Sequence, residues 1–364
     1  EYASGVNVLY KKNEVNDIAN LNITYNKGLI DDPALSVAMD YISYLGTPEM
    51  SAEQIASKLY ELAGSFRAGA GATQSSISVS GLSENMGEVL KLAENLIFNA
   101  QPDEEILANL KADMFKYRTD AKLNQSSCFS ALQEYIMYGP EYIRKTTMTD
   151  EQIKDITSEE LLSKIREVLG CEHEIRYYGP ATVAEATELL AANHKVAENP
   201  KPLERTYTTY LPATENKVYL APYDAKQIYY FQYSNRGEKL DLAADPHINL
   251  YNEYFGGGMN AIVFQEMREA RGLAYSSSAR LYMPAHKEDT YMYYAFIATQ
   301  NDKMETAIEA FDEIINDMPE SETAFSIAKE ALVSRIRTER VSDRQIISSY
   351  INSRELGLTE PRSK

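Results

Sequence analysis

The sequence predicts an α+β fold with two homologous domains, each a mostly antiparallel sheet with helices packed on one face. Three observations support this prediction. A strand-and-turn segment occurs twice, as IANLNITYNKG in residues 18–28 and as QIYYFQYSNRG in residues 227–237. Both copies alternate apolar and polar residues, as half-buried strands do, and both end in an Asn-basic-Gly turn signal. Both are followed by two helical patterns and a further strand, in the same order.

Each copy is preceded by a short strand and followed by a helix that starts at a proline. Residues 6–10 and 217–221 are the predicted short strands. Residues 33–45 and 246–255 are the predicted helices, and proline is tolerated in the first turn of a helix. The shared order indicates a duplication of one domain.

The next helix of each copy has its own start and stop signals. Ser51 and Gln54 predict a capping box at the first helix, and Asn260 is the candidate cap of the second. Gly64 and Gly272 follow the two helices, where glycine commonly ends a helix. We place these helices at residues 51–62 and 260–271.

A strand follows in each copy, at residues 76–80 and 294–298, and a long amphipathic helix comes after it. A further helix then opens after Gln101-Pro102 in the first copy and after Met318-Pro319 in the second. The first copy continues with a helix at residues 158–169 and a strand at residues 174–178. The matching helix and strand of the second copy would fall beyond Lys364, so we expect the second repeat to be truncated at its C-terminus.

The repeat divides the chain into a first α+β domain, a linker and a second α+β domain. The linker is polar and contains prolines, which is typical of a segment that runs over the surface. The predicted bounds are residues 1–185, 186–214 and 215–364.

Composition limits the classes of partner. The 364 residues carry a formal charge of −18, which disfavours nucleic acid, because phosphates demand a basic surface. No apolar run is long enough to span a membrane. Cys128 and Cys171 are too few for a disulfide framework or a cysteine zinc site, and they leave the compartment open.

The stretch GGGMNAIVFQEMREARGLAY, residues 256–275, is the candidate functional segment. Phosphate binding is disfavoured, because no Lys-Ser/Thr follows the glycines and the pattern is not an alternating βαβ. The structural alternative is that Gly256, Gly257 and Gly258 allow close approach of two backbones or adopt positive φ. From these residues alone, Arg268 can equally be an ordinary solvated charge, and Tyr275 can be a strand aromatic in the core.

The segment FGGGMNAIVFQEMREARGLAYS resembles the pitrilysin/insulinase family of zinc metallopeptidases, which includes the mitochondrial processing peptidases. The KGLIDDP, SYLGT and SGLSENM segments occur in the order found in that family. The resemblance implies four homologous α+β domains arranged as two halves that face each other across a peptide-sized chamber. It also implies that this chain, with its duplicated domain, is one such half.

Active members of the family hold zinc on a helix with an inverted HxxEH motif, with a further Glu downstream as third ligand. Aligned on Gly46-Thr47, the motif positions hold neither histidine, and Asp replaces the Glu. The five aligned residues are Val37, Ala38, Met39, Asp40 and Tyr41. We therefore expect no zinc on this chain and a zinc ion in a partner half. The four histidines of the chain show no metal-ligand spacing; they are His173, His194, His247 and His286.

By resemblance, the non-zinc half contributes Arg268 and Tyr275 to the substrate site, as hydrogen-bond donors to the peptide carbonyl that zinc-activated water attacks. Gly256, Gly257 and Gly258 then lie beside the chamber, where a peptide could add as a strand. The implied partners are a HxxEH-bearing half, on the same polypeptide or another subunit, and a peptide substrate. The alternative is a catalytically inactive peptide-binding or structural subunit. Family habit favours the periplasm over the cytoplasm.

Overall fold

The computed structural model describes residues 2–360, which form two compact units, each built from several stretches of chain. The first unit comprises the described parts of Glu1–Asp120, Pro140–Thr208 and Val341–Ile351. The second comprises the described parts of Ala121–Gly139, Thr209–Arg340 and Asn352–Lys364. These compact units are not the same as the predicted domains, whose borders at residues 185 and 214 were placed from the sequence repeat. The predicted domain borders stay a prediction.

The first unit is built on a five-stranded sheet of order β1-β5-β2-β4-β3, in which only the β1–β5 pair is parallel. Alternate residues of β4 and β5 are buried, so one face of the sheet is packed and the other is partly open. A rung of the packed face joins Ile175, Ile23 and Ile77 across three strands, and the next joins His173, Tyr25 and Ser75. The strands are β1 Val6–Lys12, β2 Ile18–Tyr25, β3 Ser65–Ala70, β4 Ser75–Leu82 and β5 His173–Gly179.

Helices follow the strands of the first unit with strong local signals. Ser51 and Gln54 form the predicted capping box, and Thr157 forms another with Glu160, so α7 coincides with the predicted helix at residues 158–169. The helices are α1 Ala34–Tyr41, α2 Ala52–Glu61, α3 Met86–Asn99, α4 Glu104–Lys122, α5 Gln125–Thr146, α6 Asp150–Asp155, α7 Ser158–Leu169 and α8 Val183–Asn193. Helices α4 and α5 run into the stretch assigned to the second unit, and α5 breaks at Gly139, whose φ is 82°.

The residue with left-handed backbone at the end of α2 is not the glycine that the sequence predicted. Ala63, not Gly64, takes the left-handed conformation after α2, with φ of 48°. Gly64 is instead required by crowding, because a Cβ there would lie 2.6 Å from a methyl group of Val89 on α3. In the second repeat Gly272 does adopt positive φ, at 58°, so its predicted role is confirmed.

The second unit is built on a three-stranded antiparallel sheet of order β6-β8-β7. Its core joins Ile297 of the sheet, Phe311 of a helix and Met267, which follows the glycine loop at residues 256–258. The elements are β6 Gln227–Ser234, β7 Ser276–Tyr282, β8 Met292–Gln300, α9 Asp245–Phe255, α10 Ile262–Phe264, a π-helix at Gln265–Ala270, α11 Met304–Asn316 and α12 Glu322–Thr338. Helix α13, Ile346–Glu355, begins in the stretch assigned to the first unit and ends in the stretch assigned to the second. Short 3₁₀ segments lie at Ile42–Tyr44, Ser83–Asn85, Leu242–Ala244, Asn301–Lys303 and Asp343–Gln345. The predicted α+β class is confirmed in both units.

Two predictions for the second repeat are wrong. Residues 217–221 form no strand, and Val218 and Leu220 are 85% and 81% exposed. A strand needs a neighbour, and within residues 2–360 no strand pairs with the outer edge of β6, the edge that β5 covers on β2 in the first unit. Asn260 does not cap its helix either: α10 begins after Ala261 and makes no side-chain cap hydrogen bond.

None of the helices in the described part of the chain is long and apolar enough to cross a membrane.

Candidate functional site

The helix that would carry zinc in active relatives, α1, is used here for packing. Val37, Met39 and Tyr41 are buried, while Asp40 is exposed. The Tyr41 hydroxyl donates to the carbonyl of Asp103 at 2.8 Å and accepts from the Asp103 N–H at 2.8 Å. Apolar side chains and a satisfied phenol do not fit a zinc ion, which needs imidazole, thiolate or carboxylate ligands.

The described chain, residues 2–360, holds no group of three or more His, Cys, Asp or Glu side chains arranged to bind a metal. The motif positions of α1 in particular offer no imidazole ligand.

Two histidines that the sequence analysis treated separately lie side by side in the first unit. Nε2 of His173, on β5, is 2.9 Å from Nε2 of His194, which follows α8. Nδ1 of His194 is 2.7 Å from the carboxylate of Glu94 on α3, and Nδ1 of His173 is 3.1 Å from the carbonyl of Cys171. All three side chains are at least nine-tenths buried. No sequence spacing links residues on β5, on α3 and after α8, so only the fold reveals this cluster.

Hydrogen-bond accounting fixes the protons of this cluster. The Cys171 carbonyl only accepts, so His173 donates through Nδ1. The contact between the two Nε2 atoms and the contact between His194 and Glu94 each need a further proton. The three contacts are all hydrogen bonds only when the cluster holds one proton beyond two neutral imidazoles and a carboxylate. Burial lowers the pKa of His173 to about 4, so its ring stays neutral and its Nε2 accepts in the contact with His194.

The three glycines of the candidate segment differ in their surroundings. A Cβ at Gly256 would lie 1.9 Å from the carbonyl oxygen of Ala279 on β7, and one at Gly257 would lie 2.5 Å from the carbonyl oxygen of Asn252. Gly258 has open space around it. None of the three has positive φ. Close backbone approach is therefore confirmed for Gly256 and Gly257, and the positive-φ alternative is wrong.

The close approach at Gly256 joins α9 to the edge strand β7 of the same unit. The side-chain amide of Asn252 donates to the carbonyl of Leu281 at 2.9 Å and accepts from its N–H at 2.8 Å. This pair of bonds takes the place of a neighbouring strand on the outer edge of β7. Gly257 and Gly258, which follow directly, are exposed.

Arg268 projects from the π-helix into solvent. Its guanidinium lies 5.0 Å from the centre of the Phe264 ring, and its Nε is 3.6 Å from the Glu269 carboxylate. Its neighbour Met267 is fully buried in the core of the second unit. The wide turn of the π-helix thus anchors Met267 and presents Arg268, whose stacking on Phe264 restricts its side chain.

Tyr275 is 73% exposed, so its interpretation as a core aromatic is wrong. Its N–H donates to the carbonyl of Ala298 at 2.9 Å, which attaches it to β8. The preceding turn is also held: the hydroxyl of Thr299 donates to the carbonyl of Leu273, and the ammonium of Lys303 donates to that of Gly272 at 3.2 Å. The backbone under Tyr275 is fixed while its phenol remains accessible.

A cavity of about 230 Å³ opens beside Tyr275, lined also by Gln227, Thr299, Gln300 and Lys303. Arg268 is not among its lining residues. Arg268 therefore lies on the π-helix, whereas Tyr275 lies in the turn between that helix and β7.

Residues 174–332 match the family model described as Peptidase M16 inactive domain. Over these residues the chain is similar to M16 peptidases. An uncharacterized zinc protease from Rickettsia bellii is 24% identical over 336 residues, which cover 88% of this chain and 75% of the relative. The pitrilysin/insulinase resemblance is thereby confirmed.

Solved M16 structures share the fold. The peptidase M16 inactive domain from Pseudomonas fluorescens superposes with a TM-score of 0.71 at 17% identity, over 99% of this chain and 92% of that one. The periplasmic protease PqqL from Escherichia coli superposes with a TM-score of 0.72 at 17% identity. That match covers 96% of this chain and 40% of PqqL.

Proposed function

We propose that this chain is the metal-free half of a zinc-dependent endopeptidase, in which it binds the peptide and supplies Arg268 and Tyr275 to the site. A HxxEH-bearing half, on the same polypeptide or on a separate subunit, holds the zinc. The observation that carries the proposal is the placement of these two side chains. Both are exposed, and the backbone of each is held by hydrogen bonds next to buried residues.

The chemistry of the two side chains suits a carbonyl oxygen that gains negative charge. A phenol donates one hydrogen bond, and a guanidinium donates several and stays charged at any working pH. Donors that are fixed before the reaction stabilise the developing oxyanion without having to reorganise. The contact with Phe264 restrains the guanidinium of Arg268, and the hydrogen bond to Ala298 holds the main chain of Tyr275 in place.

The glycine loop provides exposed backbone for a peptide. A Cβ at Gly258 would meet nothing within 4 Å, so this part of the loop can be approached closely from solvent. In our proposal Gly256 holds the loop against β7, and Gly257 and Gly258 face the substrate.

The test measures kcat/KM on unfolded peptides with the chain joined to a HxxEH-bearing half and zinc. We expect Arg268→Ala and Tyr275→Phe each to lower kcat/KM by about 10²–10³-fold, as loss of one oxyanion donor does. Arg280→Ala is the matched control, because Arg280 is exposed and stacks on Tyr282 at 5.3 Å in the same unit. Tyr282→Phe is the control for the phenol, and both controls should keep the wild-type rate.

Two results would contradict the proposal. Unchanged rates in both site variants would leave only a structural or peptide-binding role for the chain. Hydrolysis by the chain alone, supplied with zinc and no second half, would show that the metal assignment is wrong.

A further inference from the structure

We infer that the cavity beside Tyr275 binds the carboxylate side chain of a Glu or Asp residue in the peptide, next to the bond whose carbonyl meets Tyr275. This inference rests on the proposed function, because it assigns a preference to the same site. It concerns a pocket that neither Arg268 nor the glycine loop enters.

Two residues with amide side chains are among those that line the cavity. Gln227 on β6 and Gln300 on β8 are directly opposite in the antiparallel register, so their side chains share one face of the sheet. Both line the cavity and both are exposed to solvent. Their amide groups can donate to an oxygen atom placed between them. The neighbouring residue, Thr299, points inward and is 2% exposed.

Lys303 makes the cavity selective for negative charge. It is the charged residue among those that line the cavity, and no carboxylate pairs with it in the described part of the chain. Its ammonium gives one N–H to the carbonyl of Gly272, at 3.2 Å, and so retains donors for a ligand. A charged amine beside two amides matches a carboxylate, not a cation or an apolar group.

The size and position of the cavity fit a side chain of the substrate. A volume of about 230 Å³ holds several waters, which a carboxylate side chain would displace. Tyr275 and Lys303 line the same cavity. In our inference, a peptide whose carbonyl accepts from the phenol of Tyr275 places a neighbouring side chain in this cavity, where Lys303 can meet it.

The experiment compares peptides that carry Glu, Gln, Ala or Lys on either side of the cleaved bond, with the chain joined to a HxxEH-bearing half. We expect the Glu peptide to exceed the Gln peptide in kcat/KM by roughly tenfold, as one charge-assisted hydrogen bond does. Lys303→Met should abolish this preference, Lys303→Glu should reverse it in favour of the Lys peptide, and Lys303→Arg should keep it. Lys329→Met, at an exposed lysine on α12, is the control and should retain the wild-type preference.

Direct binding separates this inference from the proposed function. Fluorescence polarisation of labelled, uncleaved Glu and Gln peptides reports the preference without any turnover. A Lys303-dependent preference for Glu with no rate effect of Tyr275→Phe would retain the acidic subsite and reject the catalytic role. Equal binding and equal cleavage of Glu and Gln peptides by the wild type would overturn the subsite, whatever Tyr275 does.

Discussion

The buried histidine cluster predicts how the stability of β5 depends on pH. Burial lowers the pKa of His173 from its ordinary value of 6.5 to about 4, so the folded strand keeps the ring neutral at pH 5. Once β5 opens, His173 is solvated and takes up a proton. The opened state therefore binds more protons, and the free energy of opening falls as the pH falls from about 6.5 to about 4. Above pH 6.5 His173 is neutral in both states, so it adds no pH dependence to the free energy of opening.

The magnitude follows from the pKa difference. One pKa unit corresponds to about 1.36 kcal/mol, so the free energy of opening β5 should fall by roughly 3 kcal/mol between pH 6.5 and pH 4. The groups that face His173 are Tyr25 on β2, the Cys171 carbonyl, and His194 with its partner Glu94. Only His173 is removed in the variant described next, so the difference between the two proteins isolates its titration.

The assay is native-state hydrogen exchange of the β5 amides between pH 4 and pH 7.5, corrected for intrinsic exchange rates. His173→Gln keeps an amide oxygen that can accept from His194 but does not titrate. We expect the variant to lose the slope between pH 6.5 and pH 4 that the wild type shows. His247→Gln, at an exposed histidine near the start of α9, is the control and should leave β5 unchanged. Equal slopes for the wild type and His173→Gln would refute the reasoning.

Three further predictions follow from single positions, each measured by chemical denaturation followed by circular dichroism. Gly256→Ala should destabilise the second unit by about 3 kcal/mol, because the new Cβ would overlap the Ala279 carbonyl. Gly258→Ala is the control and should change the stability of that unit by less than about 0.5 kcal/mol. Equal effects of the two substitutions would contradict the close approach at Gly256. Ala63→Gly should stabilise the first unit by about 1 kcal/mol by relieving its positive φ, and a loss of stability would count against strain there. Thr157→Ala should cost about 1 kcal/mol by removing the cap of α7, and no change would show that the capping box contributes nothing.

Local signals predicted those elements whose causes are local. Helix α7 was predictable to the residue because Thr157 and Glu160 form a capping box before a regular apolar pattern. Strand β2 was predictable because its apolar residues alternate and the turn signal follows at once. The repeat then carried the same interpretation to β6 and β8. These features depend on neighbours a few residues away, which the sequence shows directly.

Features decided by distant neighbours were not predictable in this way. Residues 217–221 have a strand-like pattern, but in the described chain no partner strand lies at the outer edge of β6, and the segment stays irregular. Strand β3 was missed because its sequence, SFRAGA, has little β propensity, and pairing with β4 decides its state. The contact between His173 and His194 depends on where α8 ends relative to β5. The roles of Arg268 and Tyr275 came from family resemblance alone.

Helix α1 shows why the absence of the zinc motif is part of the packing of the first unit. Two new imidazoles, at Val37 and Tyr41, would enter positions that are 5% and 0% exposed. Replacing Tyr41 would also free the N–H of Asp103, which its hydroxyl satisfies, and an unsatisfied buried donor costs about 1–3 kcal/mol. Restoring HxxEH would therefore disrupt the core before any metal could repay the cost. The helix packs around the phenol of Tyr41, so in our proposal the catalytic ion belongs to the other half and the contribution of this chain lies at Arg268 and Tyr275.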